Sequence, residues 1–144
     1  MKIYVLNGPN LNLLGIREPE VYGTRTLDEV ESRCRVLAED AGAKLEWRQT
    51  NSEAEMIGWI QEAASQAEGL IINPAAFTHY SLAVREALGM CEIPVIELHI
   101  SNIYAREPWR AHSVVSGAAT GVIVGLGVHG YEIAISAMTK LIGG

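Results

Sequence analysis

The sequence contains little positive charge. Its 144 residues include 11 Lys and Arg against 17 Asp and Glu, for a formal net charge of −6 at pH 7. No run of basic residues occurs. Nucleic acids and anionic membranes present phosphates, and proteins that bind them usually carry clustered Lys and Arg. The composition therefore predicts neither a nucleic-acid partner nor a membrane partner.

Long hydrophobic runs and cysteines are also scarce. No stretch of about 18 consecutive apolar residues is present, so no membrane span is expected. The apolar run at the N-terminus is too short for a signal peptide, and no small-residue cleavage site follows it. Cys34 and Cys91 lie in helix-like apolar patterns and are interpreted as free, buried thiols. We therefore expect a cytoplasmic protein.

Length and composition favour a single domain spanning residues 1–144. The chain is 49% hydrophobic, and its five Pro and 14 Gly are too few for a fibrous or disordered protein. A domain of this size buries roughly 68–70% of its unfolded surface. Such a core needs neither disulfides nor a structural metal.

Five short apolar runs predict β-strands, and helical periods alternate with them. The predicted strands are residues 3–6, 45–47, 70–72, 95–98 and 122–124. The third and fifth lack polar alternation, which is typical of strands covered on both faces. The predicted helices are residues 27–41, 56–67, 80–88 and 131–142. Such alternation favours a flavodoxin-like α/β fold, a doubly wound five-stranded parallel sheet of order 2-1-3-4-5 with helices on both faces.

Local signals support two of these helices. The sequences Thr26-x-x-Glu29 and Ser52-x-x-Glu55 match the capping box, in which a hydroxyl and a carboxylate satisfy backbone N–H groups at a helix start. Gly42 and Gly89 are predicted to end helices.

Polar residues cluster where three predicted strands end. They are Asn7, Asn10 and Asn12 after the first, residues 73–79 after the third, and Glu97, His99, Ser101 and Asn102 at the fourth. Ligands bind at the carboxyl ends of strands in doubly wound sheets, and strands one, three and four are neighbours in the predicted order. We therefore expect these side chains to share one crevice.

Other interpretations of these residues remain open. Asn7 is also typical of a turn former, His79 of a helix cap, and the Glu97–His99 pair of a structural contact. A metal site built from His79, His99 and Glu97 lacks the usual ligand spacing. His112 and His129 are interpreted as structural because no spacing pattern involves them.

Two long loops bring arginines towards the crevice. Arg17 and Arg25 flank Tyr22 in residues 8–25, while Arg106 and Arg110 lie in residues 101–120, near a predicted short helix around 108–112. Arginine recognises carboxylates in a bidentate manner. Together with Asn, His and Ser these cations indicate a small polyhydroxylated anion as ligand, without an aromatic slot for a flat cofactor. The first loop does not match a phosphate-binding turn, and no acidic cluster suggests a phospho-receiver.

Several of these segments match one family along essentially the whole chain. They are Leu6-Asn7-Gly8-Pro9-Asn10-Leu11-Asn12-Leu13-Leu14-Gly15, Arg17-Glu18-Pro19-x-x-Tyr22-Gly23, Asn73-Pro74 with Thr78-His79, Glu97-x-His99-x-Ser101-Asn102, Ala105-Arg106-Glu107, Arg110 and Gly125-x-Gly127-x-x-Gly130-Tyr131. Together they resemble type II 3-dehydroquinate dehydratase. The resemblance implies dehydration of 3-dehydroquinate to 3-dehydroshikimate, no cofactor or metal, and a dodecamer built as a tetramer of trimers. This reaction belongs to the shikimate pathway of aromatic amino acid biosynthesis, and quinate breakdown uses it as well.

The resemblance also implies roles in catalysis. Tyr22 corresponds to the base, Arg17 to the cation that activates it, and Asn10 to the group that stabilises the enolate. His99 corresponds to the acid that protonates the departing hydroxyl, and Glu97 to the group that orients its ring.

Substrate-holding positions are carried over in the same way. They are Asn73, His79, Ile100, Ser101, Arg106 as the arginine that closes the lid, and Arg110 as the carboxylate partner. Glu86 stands where the family usually has an Asp that reaches into a neighbouring subunit's site, and Ala75 replaces a usual Gly. A non-catalytic binder of small ring carboxylates and a flavodoxin-like redox carrier are the alternative functions.

Overall fold

The computed structural model describes residues 1–143 and contains one five-stranded sheet, parallel throughout. Its strands are β1 (Lys2–Asn7), β2 (Lys44–Gln49), β3 (Gly69–Asn73), β4 (Val95–His99) and β5 (Gly121–Val124). They lie in the order β2-β1-β3-β4-β5. Each predicted strand lies within an observed one, and the flavodoxin-like order is confirmed.

Four α-helices and five 3-10 helices lie between the strands, and a fifth α-helix follows β5. The helices are α1 (Pro19–Tyr22), α2 (Leu27–Asp40), α3 (Glu53–Gln66), α4 (Leu82–Gly89) and α5 (His129–Gly143). The 3-10 helices are Leu11–Leu13, Ala75–His79, Ile103–Ala105, Pro108–Ala111 and Ser116–Ala118. No helix within residues 1–143 is both long and apolar enough to cross a membrane.

The predicted helix starts are confirmed at α2 and α3. The hydroxyl of Thr26 accepts the N–H of Glu29 at 3.2 Å, and that of Ser52 accepts the N–H of Glu55 at 3.1 Å. Gly42 follows α2 with a φ of 77°, a left-handed conformation that glycine adopts without steric cost.

Helix α4 starts later than predicted, and Tyr80 does not face the core. The hydroxyl of Ser81 accepts the N–H of Val84 at 3.0 Å and thereby caps the helix. Tyr80 precedes this cap and is 62% exposed. The apolar spacing did not show that Ser81 caps the helix and that the helix therefore begins after it.

Helices cover both faces of the sheet. Side chains alternate along β1, so Ile3 and Val5 face α2 and α5, whereas Tyr4 and Leu6 face α3 and α4. The first apolar cluster includes Ile3, Val5, Val30, Cys34, Ala134 and Met138. The second includes Tyr4, Leu6, Met56, Ile60, Val84 and Leu88. These two cores hold the strand ends in place beneath the loops.

Two expectations about burial need correction. Strand β5 lies at the edge of the sheet and is not covered on both faces, since Val122 is 43% exposed. An apolar run does not specify whether elements of the same chain cover it. Both cysteines are free, as predicted, but only Cys34 is buried, whereas Cys91 is partly exposed.

Candidate active site

One pocket lies at the carboxyl ends of β1, β3 and β4, where both long loops fold over the sheet. It encloses about 170 Å³. The predicted site residues that line it are Asn10, Arg17, Tyr22, Asn73, His79, His99, Ile100, Ser101, Arg106 and Arg110. The strand order thus brings together polar groups that are up to a hundred positions apart in the sequence.

A close backbone contact at Gly8 joins the loop after β1 to the end of β3, on two sides of the pocket. The Gly8 N–H donates to the carbonyl of Asn73 at 2.8 Å. A Cβ on Gly8 would lie 2.6 Å from the carbonyl oxygen of Pro74, so only glycine allows this approach. Asn10 follows in a left-handed conformation with a φ of 70°, and its N–H donates to the side-chain oxygen of Asn51 at 2.9 Å.

Two arginines surround the ring of Tyr22, the last residue of α1. The guanidinium carbon of Arg17 lies 5.1 Å from the ring centroid, and that of Arg106 lies 5.2 Å from it. Arg106 also donates to the Tyr22 hydroxyl at 2.6 Å and to the hydroxyl of Ser101 at 3.1 Å. Glu18 pairs with Arg17 at 3.3 Å. Two positive charges therefore face one phenol, and both can stabilise negative charge on its oxygen.

His99 and Glu97 form a buried hydrogen-bonded pair in β4. The Nε2 of His99 donates to Glu97 Oε2 at 2.5 Å. Because Nε2 is committed to this bond, Nδ1 is the ring nitrogen available to a ligand. Burial raises the pKa of Glu97, but hydrogen bonds from His99 and Ser116 outweigh it and hold that pKa below its usual range. The pair can therefore present an oriented imidazole for proton transfer.

Another side of the pocket is lined by His79, Trp109 and Arg110. The Nδ1 of His79 donates to the carbonyl of His112 at 2.7 Å, which leaves Nε2 as an acceptor in the neutral ring. Burial lowers the pKa of His79 and favours that neutral form. The ring of Trp109 packs edge-on against His79 at 5.3 Å, and the Arg110 guanidinium lies 4.1 Å from its centroid. Trp109 was not among the predicted site residues, and only its position beside Arg110 could have indicated it.

Asn7 lies beneath the pocket rather than in it. The Tyr131 hydroxyl donates to Asn7 Oδ1 at 2.7 Å and accepts from Asn73 Nδ2 at 3.0 Å. Asn73 Oδ1 accepts the N–H of Ala75 at 3.1 Å. These bonds fix the orientation of the Asn73 amide, whose second N–H remains for the pocket. Tyr131 was not predicted to belong to the site, although it is the last residue of the motif Gly125-x-Gly127-x-x-Gly130-Tyr131.

Several candidates from the sequence lie elsewhere. Asn12 and Arg25 are exposed in the first loop, and Asn102 Oδ1 accepts the Tyr104 N–H at 3.1 Å as a local cap. Glu86 is exposed on α4 and does not line the pocket. Within residues 1–143, no group of three or more His, Cys, Asp or Glu side chains is placed to hold a metal ion.

Fold and pocket together define an α/β protein with a site for a small polar anion and with groups suited to acid–base chemistry. The family model described as Dehydroquinase class II matches residues 1–139. The chain therefore belongs to the class II dehydroquinase family.

Similar proteins cover nearly all of the chain. It is 55% identical over 137 residues to 3-dehydroquinate dehydratase 2 of Agrobacterium fabrum, and this match spans 95% of this chain and 93% of that protein. It is 56% identical over 133 residues to catabolic 3-dehydroquinase 1 of Aspergillus fumigatus, spanning 92% of this chain and 89% of that protein. The crystal structure of type II dehydroquinase from Propionibacterium acnes superposes with a TM-score of 0.94 at 50% identity and covers 96% of each chain.

Proposed function

We propose that this protein is a hydro-lyase that removes water from 3-dehydroquinate to give 3-dehydroshikimate, as part of the shikimate pathway. The observation that carries the proposal is the placement of an arginine-bound tyrosine and a carboxylate-bound histidine in one pocket. Relatives about 55% identical bear the name of this activity.

The reaction begins with removal of a proton from the carbon next to the ketone, and Tyr22 is the base. A phenol is mostly un-ionised at neutral pH, so its phenolate needs nearby positive charge. Arg106 supplies a hydrogen bond at 2.6 Å to the phenolic oxygen, and Arg17 supplies charge above the ring. The proton passes to Tyr22, and the electron pair moves to the ketone oxygen as an enolate. Asn10 stabilises that oxygen through a bound water.

His99 completes the elimination. Its Nδ1 donates a proton to the hydroxyl β to the ketone, the carbon–oxygen bond breaks, and water leaves as the enolate collapses to the enone. Glu97 orients the ring and stabilises the imidazolium through the bond to Nε2. The proton that Tyr22 removed then returns to His99, which restores both groups for the next turnover.

The remaining polar groups hold the substrate. Arg110 binds the ring carboxylate, while Asn73, His79, the Ile100 backbone and Ser101 bind carboxylate and hydroxyl oxygens. Arg106 bonds to Tyr22 in the first long loop and to Ser101 in the second, and it keeps the first loop, residues 8–25, closed as a lid over the substrate. Water is thereby excluded, which strengthens the charge interactions within the pocket.

The proposal extends to assembly. Residues 1–144 form a single catalytic domain that acts in the cytoplasm, without cofactor or metal, as a dodecamer arranged as a tetramer of trimers. The charge-free edge strand β5 and its exposed Val122 support self-association. The exposed carboxylate of Glu86 is free to reach the pocket of a neighbouring subunit. Light scattering in solution should give twelve times the 15.6 kDa chain mass.

Ultraviolet absorbance with 3-dehydroquinate in EDTA tests the activity, because dehydration creates a conjugated enone. Wild type and the control Tyr80→Phe, at an exposed position, should produce the signal, whereas Tyr22→Phe should bind substrate without producing it. Turnover by Tyr22→Phe would refute the assigned base. Thermal stabilisation of wild type by 3-dehydroquinate with no product would indicate a binder of ring carboxylates instead.

A further inference from the structure

A chain of hydroxyl groups leads from the second long loop to the buried carboxylate behind His99. The hydroxyl of Ser116 lies 2.5 Å from Glu97 Oε1, and the hydroxyl of Ser113 lies 2.9 Å from that of Ser116. On the other side, the hydroxyl of Thr78 lies 3.4 Å from Glu97 Oε2 and 3.3 Å from His99 Nε2. Neither serine belongs to the pocket lining.

The direction of each hydrogen bond follows from the groups involved. An ionised carboxylate only accepts, so Ser116 must donate its single hydroxyl proton to Glu97. In the contact between the two serine hydroxyls, Ser113 must therefore donate and Ser116 accept. The hydroxyl of Ser113 in turn accepts the N–H groups of Val115 at 3.1 Å and Ser116 at 3.0 Å. Every proton in the chain points towards Glu97, and each hydroxyl oxygen is satisfied.

Backbone contacts hold the residues that carry Ser116 in position. The N–H of Val114 donates to the carbonyl of Thr78 at 2.9 Å, and Arg85 donates to the carbonyl of Val114 at 2.5 Å. Val115 is fully buried. These contacts hold the Ser116 hydroxyl in place as a donor to Glu97.

We propose that Ser116 is a positioning residue for the dehydration: by holding Oε1 of Glu97 it fixes the carboxylate plane, so that Oε2 keeps His99 oriented with Nδ1 towards the substrate. This inference rests on the proposed function. Glu97 has no exposed surface while Ser116 is in place, and its carboxylate takes its hydrogen bonds from His99, Ser116 and Thr78. Without Ser116, one carboxylate oxygen would lose its close partner, and the carboxylate could rotate away from the geometry that His99 needs.

Loss of the Ser116 hydroxyl should also change the pH dependence of kcat. His99 is the titratable group bonded to Glu97, His79 lies at longer range and Arg110 acts on His79. The Ser116 hydrogen bond is among the contacts that keep the pKa of Glu97 low, so its removal raises that pKa. A protonated Glu97 would accept from Nε2 only through an uncharged oxygen and would no longer stabilise the imidazolium by its charge. The decline of kcat on acidification should therefore begin at a higher pH in the variant than in wild type.

Ser116→Ala tests the role, with Ser116→Thr as the variant that keeps the hydroxyl. Ser116→Ala should lower kcat about tenfold with KM within about twofold of wild type, since the substrate contacts remain. Ser116→Thr should restore kcat and the pH profile. Ser32→Ala, which removes an exposed hydroxyl on α2, is the matched control and should change neither. If Ser116→Ala fails to fold, Ser116→Cys supplies a weak donor of similar size and should shift kcat in the same direction.

Nuclear magnetic resonance gives a readout that does not depend on turnover. The proton on His99 Nε2 should resonate far downfield in wild type, shift or broaden in Ser116→Ala and recover in Ser116→Thr. Wild-type protein that shows this pattern without dehydrating 3-dehydroquinate would refute the proposed function, while the effect of Ser116 on the orientation of Glu97 and His99 would stand. Active wild type with unchanged kcat, pH profile and resonance in Ser116→Ala would overturn the inference.

Discussion

Arg106, and not Arg17, donates the hydrogen bond to the phenolic oxygen of Tyr22, with Nη1 at 2.6 Å. Arg17 lies over the ring of the same tyrosine, 5.1 Å from its centroid. The family resemblance assigned activation to Arg17 and lid closure to Arg106. The geometry indicates that one residue serves both purposes, because Arg106 also bonds to Ser101 at the end of β4.

Replacement of the two arginines should therefore have unequal effects. We expect Arg106→Ala to lower kcat by roughly 10- to 100-fold, since a hydrogen bond to a charged group contributes about 1.5–3 kcal/mol. Arg17→Ala should cost less, because its charge acts through the ring face. Steady-state kinetics on both variants measure the difference.

Arg25→Ala is the control for these variants, because Arg25 is an exposed arginine of the same loop that lies outside the pocket. It should leave kcat within about twofold of wild type. A larger loss of kcat in Arg17→Ala than in Arg106→Ala would contradict the division of roles and restore Arg17 as the principal activator.

Tyr131 supports Asn73 from below, so its hydroxyl should matter both for stability and for substrate binding. Tyr131→Phe leaves Asn7 Oδ1 and Asn73 Nδ2 without their buried partner. We expect the free energy of unfolding to fall by about 1–3 kcal/mol. We also expect KM to rise more than kcat falls, because Asn73 holds substrate without taking part in proton transfer.

Urea unfolding and steady-state kinetics on the same preparation measure both effects. Tyr80→Phe removes a hydroxyl from a mostly exposed tyrosine and is the matched control, with an expected change below about 0.5 kcal/mol. Unchanged stability and KM in Tyr131→Phe would show that the buried contacts contribute nothing to the site.

The strand order could be predicted because each strand is a compact apolar run and three of the four crossovers contain a helix with a clear period. The same logic located the crevice, since parallel strand ends converge on one edge of the sheet. It could not separate Asn7 from Asn10. Asn7 is the last residue of β1 and points into the core towards Tyr131, whereas Asn10 follows the strand and lies in the pocket.

Contacts between distant loop segments were the part that the sequence could not predict. Ser116 reaches Glu97 across 19 positions, and Arg106 reaches Tyr22 across 84. Loop conformation depends on individual backbone hydrogen bonds that leave no periodic pattern. Edge exposure at Val122 was missed for a related reason, because an apolar run does not reveal what covers it.

Ala75 occupies a backbone conformation that suits glycine, with a φ of 51°. A left-handed conformation costs a residue with a Cβ about 1–2 kcal/mol. Glycine removes that cost but adds about 0.4–1 kcal/mol of entropy to the unfolded chain. We therefore expect Ala75→Gly to raise the free energy of unfolding by up to about 1 kcal/mol, as measured in urea.

The adjacent alanine provides the control for that prediction. Ala76 lies in the same 3-10 helix but has no positive φ, so Ala76→Gly should destabilise by about 0.5–1 kcal/mol. Opposite signs for two neighbouring Ala-to-Gly changes would isolate the backbone effect. Destabilisation by both would show that contacts of the Ala75 methyl group outweigh its strain.

His79 should make the stability of the protein depend on pH. Burial lowers its pKa in the folded state, although the hydrogen bond to the His112 carbonyl acts in the opposite direction. Between that lowered value and the ordinary value of about 6.5, the unfolded chain binds more protons than the folded one. The contribution of His79 to the free energy of unfolding therefore rises with pH through this window. The protein loses this contribution as the pH falls below about 6.5.

His79→Asn keeps a donor for the His112 carbonyl but cannot titrate, so it isolates this contribution. Urea unfolding of wild type and variant from about pH 5 to 7.5 measures it, since other carboxylates and histidines cancel in the difference. The advantage of wild type over the variant should shrink as the pH falls. If the free energies of unfolding of wild type and variant change with pH in parallel, His79 has the same pKa in the folded and unfolded chains. Its surroundings would then not hold the ring neutral with Nε2 as an acceptor.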